Sequence, residues 1–166
     1  MAARKRRRRV FLAAVLLLAG CMALAGVHAG TGRLGFPLDT EQWKLSDGYG
    51  WRKDPLTGED AFHRGVDFAC EEGTAVLAAQ DGVVTETRWS SSYGNYVQLL
   101  HSQDRETRYA HLQYVYARPG EIVAKGQLLG TAGQTGRATG THLHFELLEH
   151  GAAKDPARAL GLDDEA

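Results

Sequence analysis

The chain has 166 residues, 43% hydrophobic and 23% charged, a balance that fits one compact domain with a short appendage and argues against wholesale disorder, a polytopic membrane protein or a fibrous repeat. Twenty glycines against two methionines favour many turns over long helices. The net charge of −1 hides an asymmetry: residues 4–9 read RKRRRR, while the rest of the chain carries 13 basic and 20 acidic residues, an acidic body with no electrostatic basis for holding nucleic acid.

The basic block runs into VFLAAVLLLAGCMALAGV, residues 10–27, which contain no charge. A basic run fused to an apolar one is the pattern of an export signal or membrane anchor. The positive-inside rule keeps the arginines in the cytoplasm and sends everything after residue 30 outward. Three processing routes fit these residues. Leu18-Ala19-Gly20-Cys21 resembles a lipoprotein lipobox, with Cys21 lipidated and becoming the new N-terminus. The apolar run can instead stay as an uncleaved, slightly short anchor. Val27-His28-Ala29 offers a small-residue cleavage site. With Cys21 lipidated, Cys70 has no partner for a disulfide, and it reads as a small buried residue.

Past a short linker the chain breaks into strand-length runs: 75–79, 83–87, 96–100, 107–112, 121–124 and 143–148. Turn signals such as Glu72-Gly73, Asp81-Gly82, Pro119-Gly120 and Lys125-Gly126 separate them. The pattern predicts a compact antiparallel all-β domain, sandwich or barrel-like. A helical turn over 156–160 is the one expected exception.

Seven histidines carry the chemical information. His63-Arg64-Gly65-Val66-Asp67 is the first context. In a flat strand, residues four apart share a face at roughly 13 Å, too far to chelate one ion. Gly65 allows the backbone to bend and bring an imidazole and a carboxylate together, a donor pair suited to zinc. Tyr109-Ala110-His111-Leu112 puts a histidine at a strand end. In His142-Leu143-His144-Phe145-Glu146 a strand would point His142, His144 and Glu146 to one face and Leu143 and Phe145 into the core. Spacing alone leaves open which of His142 and His144 binds metal, and leaves Glu146 either a support for a histidine or a surface charge.

These three motifs, in this order, resemble the signatures of the lysostaphin/LytM-type peptidoglycan metallopeptidases. The flanks agree: Gly50-Trp51-Arg52 and Asp54-Pro55 before the first motif, Gly133-Gln134-Thr135-Gly136 and Thr139-Gly140-Thr141 before the last. The resemblance covers residues 36–157. It implies an all-β duplicated hybrid motif fold and one zinc ion held by His63, Asp67 and His144, with a position left open for water or substrate. It makes His111 and His142 the catalytic residues that do not bind metal, placed to move protons and stabilise developing charge. The implied activity is zinc metalloendopeptidase cleavage of the peptide cross-links of bacterial cell walls. The expected organisation is then a signal, lipoprotein signal or anchor over 1–29, a linker over 30–35, the peptidase domain over 36–157 and an acidic tail over 158–166. The expected location is the cell envelope, tethered to the membrane through the N-terminal segment or a lipid on Cys21, or secreted, with a cell-envelope protein as a further partner.

Two other classes compete with this reading. A non-hydrolytic or partner-activated member of the same fold would bind wall as a regulatory module, but every motif position is present. Glu121–Gly126 loosely resembles the hairpins of biotinyl or lipoyl carriers, which modify a lysine at a tight turn, and Lys125 would be that residue. Both methionines that such a turn often carries, Met1 and Met22, lie in the N-terminal segment instead, and the histidine set would be left without a purpose.

Overall fold

The computed structural model describes residues 33–162. The expected β character holds. In chain order the strands are β1 (Lys44–Asp47), β2 (Gly50–Lys53), β3 (Asp60–His63), β4 (Val66–Ala69), β5 (Ala75–Leu77), β6 (Gly82–Ser90), β7 (Gly94–Leu100), β8 (Arg105–Val115), β9 (Ile122–Val123), β10 (Leu128–Ala132), β11 (His142–Glu149) and β12 (Ala152–Lys154), followed by helix α1 (Pro156–Leu160). All strand pairs are antiparallel. The main sheet runs β1-β4-β11-β8-β7-β6-β9, with β10 bridging β5 and the end of β8, and β12 folding back on β11. Strands β2 and β3 form a separate hairpin.

Alternation along the central strands sets the two faces. Val66 and Phe68 of β4, Tyr109 of β8, and Leu143, Phe145 and Leu147 of β11 are fully or almost fully buried in one core. The intervening Asp67, Arg108, His142, His144 and Glu146 therefore face the other way. That face is the floor of the site.

Strands β1, β2, β3 and β12 carry no strong apolar pattern, so they escape a reading based on hydrophobic runs; the backbone ladder defines them. The packed unit also extends past the residues the sequence suggested. Leu34, expected in a linker, is buried, and the Gly35 amide donates to the Ala79 carbonyl. Ala157 and Leu160 of α1 join the same core. This helix is well specified locally: Asp155 caps its N-terminus by accepting from the Ala157 amide, Pro156 fills the first turn and Gly161 ends it in a left-handed conformation. Lys125 and Gly126 form a turn between β9 and β10, where the turn signal placed it; the Lys125 ammonium donates to the Arg33 carbonyl.

A buried polar chain lies at the opposite end of β8 from the site. His101 Nδ1 donates to the Asp81 carbonyl at 2.9 Å, so its Nε2 accepts from the Thr107 hydroxyl at 2.7 Å. Thr107 in turn is hydrogen-bonded to the Tyr109 hydroxyl, which accepts from the Ala79 amide. Burial, only partly offset by the Asp81 carbonyl, holds the His101 pKa below its ordinary value. The unfolded chain takes up a proton near pH 6.5 that the folded chain resists, so stability should fall as pH drops below about 6.5. Urea midpoints measured near pH 7 and pH 5 should show a smaller fall for His101→Asn than for the wild type.

Among the described residues no helix is long and apolar enough to cross a membrane. The expected signal, lipobox and cleavage site all fall outside the described residues.

Candidate metal and catalytic centre

The pairing register assembles the site. Strand β11 lies between β4 and β8, with His144 opposite Asp67 on one side and Ala110, next to His111, on the other. His63 ends β3, where it pairs with Gly50. Between β3 and β4 the chain bends at Gly65, as the motif required. A Cβ on Gly65 would stand 2.4 Å from the Phe145 carbonyl oxygen and 3.0 Å from His144 Cε1. Only glycine lets this corner lie against β11.

His63, Asp67 and His144 each offer one donor atom to a common point. His63 Nε2 is 3.1 Å from His144 Nδ1 and 3.3 Å from Asp67 Oδ1, and the latter pair is 2.7 Å apart. Tetrahedral ligands with bonds of about 2.0–2.1 Å sit roughly 3.3 Å from one another. Two separations are close to that value, and the third is that of a hydrogen bond. The other nitrogen of each imidazole has an oriented partner: His63 Nδ1 donates to the Gly48 carbonyl at 2.7 Å, and His144 Nε2 faces Glu146 Oε1 at 3.2 Å. These partners turn His63 Nε2 and His144 Nδ1 toward the common point, the arrangement that metal-binding histidines require. The residues fit a zinc ion.

Two more imidazoles border the same space. His111 and His142 lie side by side with ring centroids 4.6 Å apart and planes tilted by 52°. Their Nδ1 atoms donate to the Thr135 and Gly140 carbonyls at 2.7 and 2.8 Å. A carbonyl can only accept, so in the neutral form each Nε2 is left without a proton, with His142 Nε2 3.8 Å from Asp67 Oδ2. His111 has φ +61, a left-handed conformation that costs a residue other than glycine roughly 1–2 kcal/mol. It sits in a bulge: three steps on β8, from Leu112 to Tyr109, match two on β7, from Asn95 to Val97. The bulge re-aims the imidazole into the site.

Burial and neighbouring charges set the protonation states. Burial disfavours the Asp67 carboxylate, but hydrogen bonds from His144 and His63 outweigh it and hold the group far below the ordinary carboxylate range. Burial also opposes the His144 imidazolium, yet Asp67 and Glu146 on either side raise its pKa to about 9. A metal must displace that proton. Burial pushes His111 down to about 4, against the pull of the Thr135 carbonyl and with help from His142 and His144. His111 is therefore neutral at physiological pH.

Glu146 is 1% exposed, which settles its role as an oriented partner over a surface charge. Its register partner Arg108 donates from Nη1 to Oε2 at 2.7 Å, and the Tyr93 hydroxyl donates to Oε1 at 2.7 Å. Burial raises Tyr93 and the Glu146 charge raises it further, so the phenol keeps its proton and remains a donor. Spacing pointed to Glu146, whereas Tyr93, in the turn before β7, and Arg108, in an ordinary strand run, gave no signal. Two loops wall the groove above this floor, with Leu56 on one side and Arg137 and Thr139 on the other.

All five expected site residues thus converge. The family model Peptidase family M23 matches residues 61–156. The peptidoglycan DD-endopeptidase ShyC of Vibrio cholerae is 46% identical over 105 residues, covering 63% of this chain and 24% of that protein. ShyA of the same organism, also a peptidoglycan DD-endopeptidase, is 40% identical over 125 residues, 75% of this chain and 29% of that protein. The chain thus spans about a quarter of the length of these curated relatives. Among solved structures, the catalytic domain of lysostaphin from Staphylococcus simulans superposes with a TM-score of 0.65 at 33% identity, covering 72% of this chain and 92% of that one.

Proposed function

This chain belongs to peptidase family M23, and from that footing we propose that its domain is a zinc metalloendopeptidase that hydrolyses peptide cross-links of bacterial peptidoglycan. The observation that carries the reading is the convergence of three metal donors and two proton-accepting imidazoles on one groove floor. The names of ShyC and ShyA, peptidoglycan DD-endopeptidases, supply the substrate class.

His63 Nε2, Asp67 Oδ1 and His144 Nδ1 are the proposed ligands. Zinc held there would polarise a peptide carbonyl and lower the pKa of a bound water to about 7. His111 and His142 are the proposed acid/base pair. Their Nε2 atoms take a proton from the attacking water, carry it to the leaving amine as the C–N bond breaks, and stabilise charge on the carbonyl oxygen meanwhile. Glu146 holds the His144 ring in the ligating orientation. The peptidase domain is proposed to work in the cell envelope, either secreted or tethered through the N-terminal segment or a lipid on Cys21.

Metal content and the fragments released from purified peptidoglycan, measured on one preparation of the full chain, test this. One zinc with new peptide termini is expected, both lost on chelation. Zinc with no cleavage of any cross-link type would favour a regulatory wall-binding module instead. Because ligand imidazoles must be deprotonated, zinc affinity should weaken as pH falls from neutral to about 5. Unchanged affinity across that range would rule out a histidine-ligated site.

A further inference from the structure

One loop, residues 133–141, supplies both carbonyls that orient the non-ligand histidines: Thr135 for His111 and Gly140 for His142. Its sequence, GQTGRATGT, has three glycines and little intrinsic stiffness. Several ties hold its first half against β7 and β8. The Asn95 amide donates to Thr135 Oγ1, that hydroxyl donates to the Leu112 carbonyl, and the Arg137 amide donates to the Ser92 carbonyl. Gly136, at φ +73, lies so close to Gly94 that a Cβ would be 2.1 Å from the Gly94 nitrogen. The side chain of Arg137, midway between the two carbonyls, leaves the loop altogether. It crosses to the β2–β3 loop and meets Asp54 through both Nη atoms, at 2.9 and 2.7 Å.

Asp54 is built to receive it. The residue is buried, and its Oδ1 also accepts from the Leu56 and Thr57 amides. The Arg137 guanidinium first, and those two amides after it, hold the Asp54 carboxyl well below the usual range, so the pair is fully ionised. The ion pair thus ties the two loops that flank the groove, and it does so at the loop whose carbonyls dictate the histidine tautomers.

We propose that Asp54 and Arg137 are positioning residues for catalysis: by clamping the 133–141 loop, they hold the Thr135 and Gly140 carbonyls against Nδ1 of His111 and His142 and keep each Nε2 free to accept a proton. This rests on the proposed roles of the two histidines. A histidine tautomer is chosen by the partner of its other nitrogen. Release of the clamp lets the loop drift, and a displacement of about 1 Å far from the chemistry can cost roughly 10²-fold in rate.

The test uses the zinc-loaded full chain with Asp54→Asn, Arg137→Ala, the double variant and Arg137→Lys. Asp54→Asn keeps an acceptor for the Leu56 and Thr57 amides while removing the charge. Bound zinc should be unchanged in all four. On a soluble cross-linked muropeptide, kcat should fall roughly 10²-fold in each of the first two variants, with little change in KM. The double variant should be no worse than either single one, because the pair acts as a unit, and Arg137→Lys should recover part of the loss. Imidazole nitrogen NMR should show His111 or His142 passing from one Nδ1–H form to a mixture of tautomers, His142 the more so because Gly140 lies beyond the ties at Thr135. Unchanged spectra of both His111 and His142 overturn the proposal, even with reduced kcat, since the loss would then arise elsewhere. So does a loss confined to KM, which would make Arg137 a substrate contact. Wild-type protein that cleaves no cross-link fails the catalytic reading itself, while the nitrogen spectra still decide whether the clamp sets the tautomers.

Discussion

His111→Ala should lower turnover of peptidoglycan by ~10²–10⁴-fold, the span of a lost general acid or base, while zinc content stays at the wild-type level. His111 lies outside the three-donor cluster, and its imidazole reaches the site only through the β8 bulge. His144→Ala should behave differently, losing zinc and turnover together, because it removes the metal donor that Glu146 orients through Nε2. Metal analysis beside a cleavage assay separates the two. Zinc lost from the His111 variant and kept in the His144 variant would reverse the assignments. The bulge adds a second readout. A non-glycine residue at φ +61 carries roughly 1–2 kcal/mol of conformational cost. Glycine escapes it but loses about 0.4–1 kcal/mol to unfolded-state entropy. His111→Gly should therefore be more stable than His111→Ala by roughly 0.5–1 kcal/mol, and equally inactive. Equal urea midpoints for the two would mean the bulge relaxes once the imidazole is gone.

That bulge also marks where sequence reading stops. The alternation in His142-Leu143-His144-Phe145-Glu146 carries its own geometry, because a period of two assigns each residue a face, and the structure keeps that assignment. The bend at Gly65 was legible because His63 and Asp67 could not otherwise meet. The left-handed backbone of His111 was not: it follows from an unequal count of residues on β7 and β8, and strand register depends on the whole sheet. The same holds for Arg108 and Glu146. They are 38 residues apart in sequence and become neighbours only when β8 and β11 pair. Asp54 was visible as part of a flanking motif and Arg137 was not, falling between two of them, and their contact belongs to the packing of two loops. Long-range pairing, more than local propensity, hid what remained.

The Arg108–Glu146 pair yields the largest expected stability change. Arg108→Met should destabilise the fold by about 1–3 kcal/mol, the cost of leaving the buried Oε2 of Glu146 without its donor. Glu146 is 1% exposed, so water cannot replace the guanidinium. Two other donors remain, the Tyr93 hydroxyl at 2.7 Å and Nε2 of the His144 imidazolium at 3.2 Å, but both serve Oε1, and the charge of His144 is shared with Asp67. Removing the other partner should cost less. Arg108 is 16% exposed in its side chain; its Nε and Nη2 also donate to Gln98 Oε1, and its guanidinium lies over the Tyr93 ring at 4.9 Å. Glu146→Gln also keeps an acceptor for His144 Nε2 and mainly weakens the electron-donating carboxylate behind that ligand. Zinc affinity should then drop by about 10–100-fold with the fold intact. Arg108→Met combined with Glu146→Gln should recover much of the stability lost with Arg108→Met alone, since no unpaired charge remains. Urea unfolding of the metal-free proteins near neutral pH gives the stabilities, and chelator competition gives the zinc affinities. A loss below about 1 kcal/mol for Arg108→Met, the range of an exposed pair, would mean that water enters behind β11 and that Glu146 is not sealed from solvent. The combination matters for function because the carboxylate that steers His144 is costly to bury alone. Arg108 makes it tolerable, and the metal ligand and the ion pair form one connected structure across β8 and β11.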